Sequence, residues 1–195
     1  MNYPGKKVID DSELNYLVAT VARLHANNVL PGTAFDLVKD LTTETLALCP
    51  DGSCKITAQT INKKLAGKTG LPEQLISGDP ATAKKYVDDL LAFMKSKVTG
   101  QDPGLLKIAN AFAPFTVGMN PKGQPIFSVI IPGSTGVGKT ETGRAFVQFV
   151  FKDPRRRLMI PGAKYPEGIS AERINQVSEM LVKHNRKYNF NLVMF

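Results

Sequence analysis

Ile126-Phe127-Ser128-Val129-Ile130-Ile131-Pro132-Gly133-Ser134-Thr135-Gly136-Val137-Gly138-Lys139-Thr140 is the stretch on which the reading of this chain turns. Its second half fits the phosphate-binding pattern G-x-x-x-x-G-K-[S/T] at every fixed position, from Gly133 to Thr140. The apolar run 126–131 ahead of it predicts a buried parallel strand. Behind it, Glu141 to Phe151 lacks proline and sets Ala145, Phe146, Phe149 and Val150 on one helical face. Strand, glycine loop and helix form the context the motif requires. Glycines let successive N–H groups curl toward phosphate oxygens, and a helix N-terminus adds partial positive charge. In that reading Lys139 reaches the β- and γ-phosphates of ATP or ADP, and the Thr140 hydroxyl ligates Mg²⁺. The competing reading is a glycine-rich turn that binds nothing.

Outward from the motif, the second half of the chain alternates. A helix from about Asp102 to Phe112 leads into a Gly/Pro/Asn-rich connector, Gly118 to Gln124. After the loop and its helix come a short apolar run, Leu158-Met159-Ile160, a helix from Ser170 to about Lys187, and a second strand signal at 190–195. This alternation predicts an α/β fold, a parallel sheet covered by helices. The first half reads as helices throughout. Asp11–Asn27 carries Leu14, Leu17, Val18, Val21 and Leu24, and Thr33–Leu48 carries Ala34, Leu37, Val38 and Leu41. A third helix starts at the N-cap candidate Thr57 and stops at Gly67, and Asp79-Pro80 opens a fourth that runs to about Lys95. The predicted units are a helical domain over 1–75, a linker helix over 76–97, and an α/β nucleotide-binding domain over 98–195.

Composition sets the frame. The 195 residues suffice for one domain or two small ones, and 43% hydrophobic with 22% charged residues is ordinary for a globular protein. No apolar run approaches a membrane span and no signal peptide is visible, which predicts a soluble, cytosolic chain without membrane contact. The net charge of +8 is spread along the sequence. Only Arg155-Arg156-Arg157 is clustered, without interleaved aromatic residues for base stacking, so a solvated face plus attraction to nucleotide phosphates is preferred over nucleic acid. Cys49 and Cys54 flank the turn sequence Pro50-Asp51-Gly52-Ser53 and, with no nearby histidine to complete a zinc site, are expected to be free thiols. His25 and His184 have no visible catalytic partner.

Val98-Thr99-Gly100-Gln101-Asp102, followed by helix, connector, strand and Gly133–Glu141, resembles the opening of the second ATPase module of the Clp and heat-shock-100 AAA+ unfoldases. Upstream, Arg23, Leu30-Pro31, Ala34 and Asp36-Leu37 resemble the end of that family's first module, and Ile56-Thr57 with Gly70-Leu71-Pro72 its inter-module segment. The resemblance implies a fragment spanning the end of one module and the start of the next. The implied nucleotide site comprises Val98 and Thr99 over the adenine, Gly133, Ser134, Thr135, Gly136, Val137, Gly138, Lys139 and Thr140 around the phosphates, and Glu141 closing the motif. Protein substrates or adaptors and a homo-oligomeric ring are implied as partners.

Several departures accompany the matches. Gly32-Thr33 stands where the family has Asp-Lys, Ser134 replaces a proline, and no aromatic pore loop is recognisable, Tyr165 being read as a surface residue. Leu192-Val193-Met194-Phe195 resembles the strand that precedes the family's Walker B acids, so no catalytic residue is assigned and weak hydrolysis is expected. Three functions remain open: an ATP-binding segment of a Clp-like unfoldase, a degenerate nucleotide-binding assembly or adaptor module, and a nucleic-acid-dependent ATPase resting only on charge.

Overall fold

The computed structural model describes residues 8–24, 31–119, 125–160, 170–188 and 190–194. Helices dominate. In chain order they are α1 (Asp11–Leu24), α2 (Gly32–Leu48), α3 (Ala58–Thr69), α4 (Glu73–Ser77), α5 (Pro80–Lys97), α6 (Asp102–Thr116), α7 (Lys139–Val150) and α8 (Ala171–Lys187). Strands β1 (Arg157–Met159) and β2 (Leu192–Met194) pair in parallel, with Arg157 opposite Leu192 and Met159 opposite Met194. Helix α8 lies in the connection between them, so this is a β-α-β unit of the kind parallel pairing demands.

Local chemistry explains most boundaries. The Asp79 carboxylate accepts from Thr82 N at 2.8 Å, and Pro80 supplies the first helical position of α5. Thr57 caps α3 as expected, its hydroxyl accepting from Thr60 N at 3.4 Å. The stop of α3 differs from the expectation. Gly67 is a helical residue, and the helix ends at Gly70, whose φ of 71° is the left-handed geometry of a C-terminal glycine. Helix α6 continues past Phe112 to Thr116 with Pro114 inside its last turns, and α4 is a short helix between two chain breaks, where the sequence signals no element. His25 and Tyr165, and the connector residues from 120 to 124, lie outside the described residues.

The apolar stretch 126–131 requires a correction. It runs as irregular backbone, not as a strand, and Val129, Ile130 and Ile131 are exposed, Ile130 at 93%. A strand exists only through ladder partners, and among the described residues none lies alongside this segment. The cysteines require a second correction: Cys49 and Cys54 form a disulfide. Gly52 N donates to Cys49 O at 3.0 Å and Gly52 adopts a φ of 74°, and this tight turn brings the two Cα atoms to 5.8 Å, within disulfide reach.

One continuous apolar core links both halves, from Leu17, Val21 and Leu41 through Ile61, Leu75 and Leu90 to Phe112, Phe146 and Val150. Helix α5 lies against both α6 and α7. Two arginines bridge across sequence. Arg23 Nη2 donates to Ile76 O, and the side chain passes so close to Gly78 and Gly118 that a Cβ on either would overlap it. Burial lowers the Arg23 pKa from its ordinary value. Arg156 Nη1 donates to Thr69 O at 2.8 Å and Phe190 O at 3.0 Å while its guanidinium faces the rings of Phe151 and Tyr188.

Two substitutions test this packing in opposite directions. Leu90 is 0% exposed at the centre of α5, so Leu90→Ala should lower the unfolding free energy by about 2–5 kcal/mol in urea titration. Gly67 has no atom within 4 Å of an added Cβ and an ordinary helical φ, so Gly67→Ala should raise it by about 0.5–1 kcal/mol.

Candidate nucleotide-binding site

The loop Gly133–Gly138 leads directly into α7, with Gly138 as its N-cap. Gly136 (φ 88°) and Gly138 (φ 90°) both occupy the left-handed region, where a side chain is strained. Gly133 is demanded by proximity instead, since a Cβ there would sit 2.9 Å from Val137 Cγ2. The motif's three glycines thus answer to three local constraints, two of backbone and one of contact. Lys139 Nζ turns back over the loop and donates to Gly133 O at 2.7 Å and Ser134 O at 2.5 Å. An ammonium has three donors, so the lysine staples the loop and keeps one for a further acceptor. Ser134, Thr135 and Thr140 are exposed, with the Thr140 side chain in the first turn of α7. Glu141, in the same turn, accepts from Arg144 Nη1 at 2.8 Å.

Distance in sequence is closed at Val98. This residue caps the C-terminus of α5, its N donating to Met94 O at 2.9 Å, and is buried. A Cβ built on Gly138 would lie 3.0 Å from Val98 Cγ1. The Val98-Thr99 segment and the glycine loop therefore share one place. The turn behind them, Thr99-Gly100-Gln101, has Gly100 at φ 78° and is clasped by Lys95 Nζ on Asp102 Oδ1 at 2.7 Å. That hydrogen bond holds the Asp102 carboxyl below the usual carboxylate range.

Aromatic rings position the loop from behind. Phe127, just ahead of the loop, packs on Phe146 (5.4 Å between centroids) and on Phe112 (6.0 Å). Phe112 and Phe146 are edge to face at 5.2 Å, and Phe149 sits 5.1 Å from Tyr86 and 5.4 Å from Phe93 of α5. Gly143 does comparable work, for a Cβ there would overlap the Met194 thioether, so α7 lies directly on β2. The sequence signal for that contact was a glycine inside an otherwise apolar helical face. The clasp of Arg156 had no signal beyond the triple-arginine run. Its three members go separate ways: Arg155 to Asp153, Arg156 to the carbonyls and rings above, and Arg157 into β1.

No protein-family model matches the chain. Known proteins do. It is 32% identical over 121 residues to the chaperone protein ClpB of Clostridium tetani (strain Massachusetts / E88), covering 62% of this chain and 14% of the relative. It is 30% identical over 120 residues to the negative regulator of genetic competence ClpC/MecB of Bacillus subtilis (strain 168), with the same 62% and 14% coverage. This chain is homologous to the Clp ATPases. A third relative, the ATP-dependent Clp protease ATP-binding subunit ClpA homolog of Trieres chinensis, is 28% identical over 127 residues, 65% of this chain and 14% of its own length. The Clp-type AAA+ resemblance drawn from Val98–Asp102 and Gly133–Glu141 is thereby supported. Among the described residues no helix is long and apolar enough to cross a membrane, and no group of His, Cys, Asp and Glu side chains could hold a metal ion by itself.

Within the loop, Gly138 combines a left-handed φ with the Val98 contact. Gly138→Ala should lower unfolding stability by about 1–2 kcal/mol in urea titration.

Proposed function

We propose that this chain binds Mg·ATP and Mg·ADP through the glycine loop, as the nucleotide-binding part of a Clp-like AAA+ ATPase. The observation that carries the reading is the Gly133–Thr140 motif at the N-terminus of α7, with left-handed Gly136 and Gly138 and Val98 packed beside them, in a chain homologous to Clp proteins. The donor chemistry fits a polyphosphate. Backbone N–H groups at the start of α7 are free of intrahelical partners by helix geometry, and the helix dipole favours an anion there. Lys139 adds a full positive charge already aimed across the loop. Thr140 would hold Mg²⁺ through its hydroxyl, and the ion would supply charge neutralisation at the phosphates. Val98 and Thr99, which lie beside the loop, would hold the adenine.

In this reading 1–75 is a lid-like helical unit, 76–97 a linker helix and 98–195 the start of the AAA+ domain. The whole protein couples ATP hydrolysis to unfolding or remodelling of protein substrates, as a homo-oligomeric ring in the cytoplasm.

Mg·ADP titration by calorimetry tests the core of this. Lys139→Ala removes a point charge beside the phosphates and should weaken binding at least about tenfold, or roughly 1.4 kcal/mol, with the melting profile of the apoprotein retained. Equal affinity in the two proteins would refute the assignment.

A further inference from the structure

Beyond the loop, α7 carries a second concentration of positive charge. A cavity of about 480 Å³ opens where the chain turns back from α7 toward β1, lined by Arg144, Val147, Gln148, Lys152, Pro154 and Arg157. Arg144 and Gln148 stand four residues apart, on one helical face. From Lys139 to Gln148 the helix rises roughly 13 Å, so this cavity and the glycine loop are separate places.

Three features of the cavity call for an anion. Arg157 Nη1 is buried and makes no hydrogen bond, an arrangement that costs free energy until an acceptor arrives. Lys152 has a φ of 53°, the one non-glycine residue among those described with a positive φ, and it occupies the position after the α7 C-cap where glycine is usual. Keeping a lysine there places its charge at the cavity. Asp153, next to Lys152 in sequence, is committed elsewhere: its Oδ1 accepts from Arg155 N and Nε at 3.0 and 2.9 Å, and Oδ2 from Arg155 Nη2 at 3.1 Å. Among the described residues neither Lys152 nor Arg157 makes an ion pair, and Arg144 shares its charge with Glu141 alone.

We propose that Arg157, Lys152 and Arg144, with the Gln148 amide, form a second oxyanion site that takes a phosphate-monoester dianion. Two guanidiniums offer paired donors matched to tetrahedral oxygens, and the ammonium adds a point charge. Three cations around one cavity favour a dianion over the single charge of a phosphodiester. The site stands independently of the nucleotide reading, because none of its residues belongs to the Gly133–Thr140 motif.

The probe is inorganic phosphate, titrated into the full chain and followed by ³¹P line broadening. Lys152→Gln and Arg157→Gln should each weaken this binding at least tenfold, while Lys139→Ala leaves it in place. Arg144→Gln, at an exposed position, serves as a third variant should Arg157→Gln not melt cooperatively. Loss of all phosphate binding in Lys139→Ala, or unchanged binding in Lys152→Gln and Arg144→Gln, would overturn the proposal. So would a single-stranded oligonucleotide that binds through these residues where inorganic phosphate does not.

Discussion

The seating of α7 against α5 and α6 is the constraint on which the candidate site depends. A glycine loop has no rigidity of its own; its geometry is inherited from what holds its two ends. Behind the loop, α7 is fixed by Phe146, Val147 and Val150 in the core and by Gly143 lying directly on Met194. Ahead of the loop, Phe127 packs against both Phe112 of α6 and Phe146 of α7. Both ends therefore refer to the same buried aromatic group, and a shift of α7 moves them together. The same helix arrangement brings the C-cap of α5, Val98, to Gly138, joining two segments the sequence separates by a whole helix and connector.

Positive charge serves two different physical ends here. Arg23 and Arg156 act inside the structure, each donating to a backbone carbonyl of a distant element and covering glycines at close quarters. A guanidinium suits this because it can hydrogen-bond at one edge while its face rests on apolar or aromatic surface. Arg156 joins the C-terminus of α3 to the approach of β2, so helical and α/β parts share a polar clasp as well as an apolar core. Lys139, by contrast, is spent on a loop whose carbonyls it holds with two of three donors. The formal charge of +8 is thus partly structural.

Much of this could be read from sequence where the deciding forces are local. Thr57 and Asp79 cap the helices they were expected to cap, because an N-cap depends on three or four consecutive residues. The glycine motif was legible for the same reason, its φ values being set within the loop. What escaped was set by contacts across the chain. Gly67 and Gly70 both offered a stop for α3. Continuing three residues buries Thr69, whose hydroxyl donates to Leu65 O at 2.7 Å and accepts from Leu71 N at 3.2 Å, and sequence alone does not weigh that gain. The disulfide escapes a reading that weighs Cys49 and Cys54 only as an incomplete zinc site, because the turn between them fixes their separation.

The stretch 126–131 shows the same limit most sharply. Its composition is that of a strand buried on both faces, yet Ile130 is 93% exposed and the backbone is unpaired by any ladder among the described residues. β-propensity measures how well a residue fits a pleated surface made by neighbours, so it states what a segment does when those neighbours are present. β1 and β2 make the contrast. They are three residues each, and β1 begins on an arginine, but α8 returns the chain so that Arg157 meets Leu192 and Met159 meets Met194, and they pair. Strand formation is therefore decided by topology first and composition second. An extended apolar segment with exposed β-branched side chains keeps a strong drive to be covered, and a single charged residue such as Ile130→Lys would weaken that drive without touching the core.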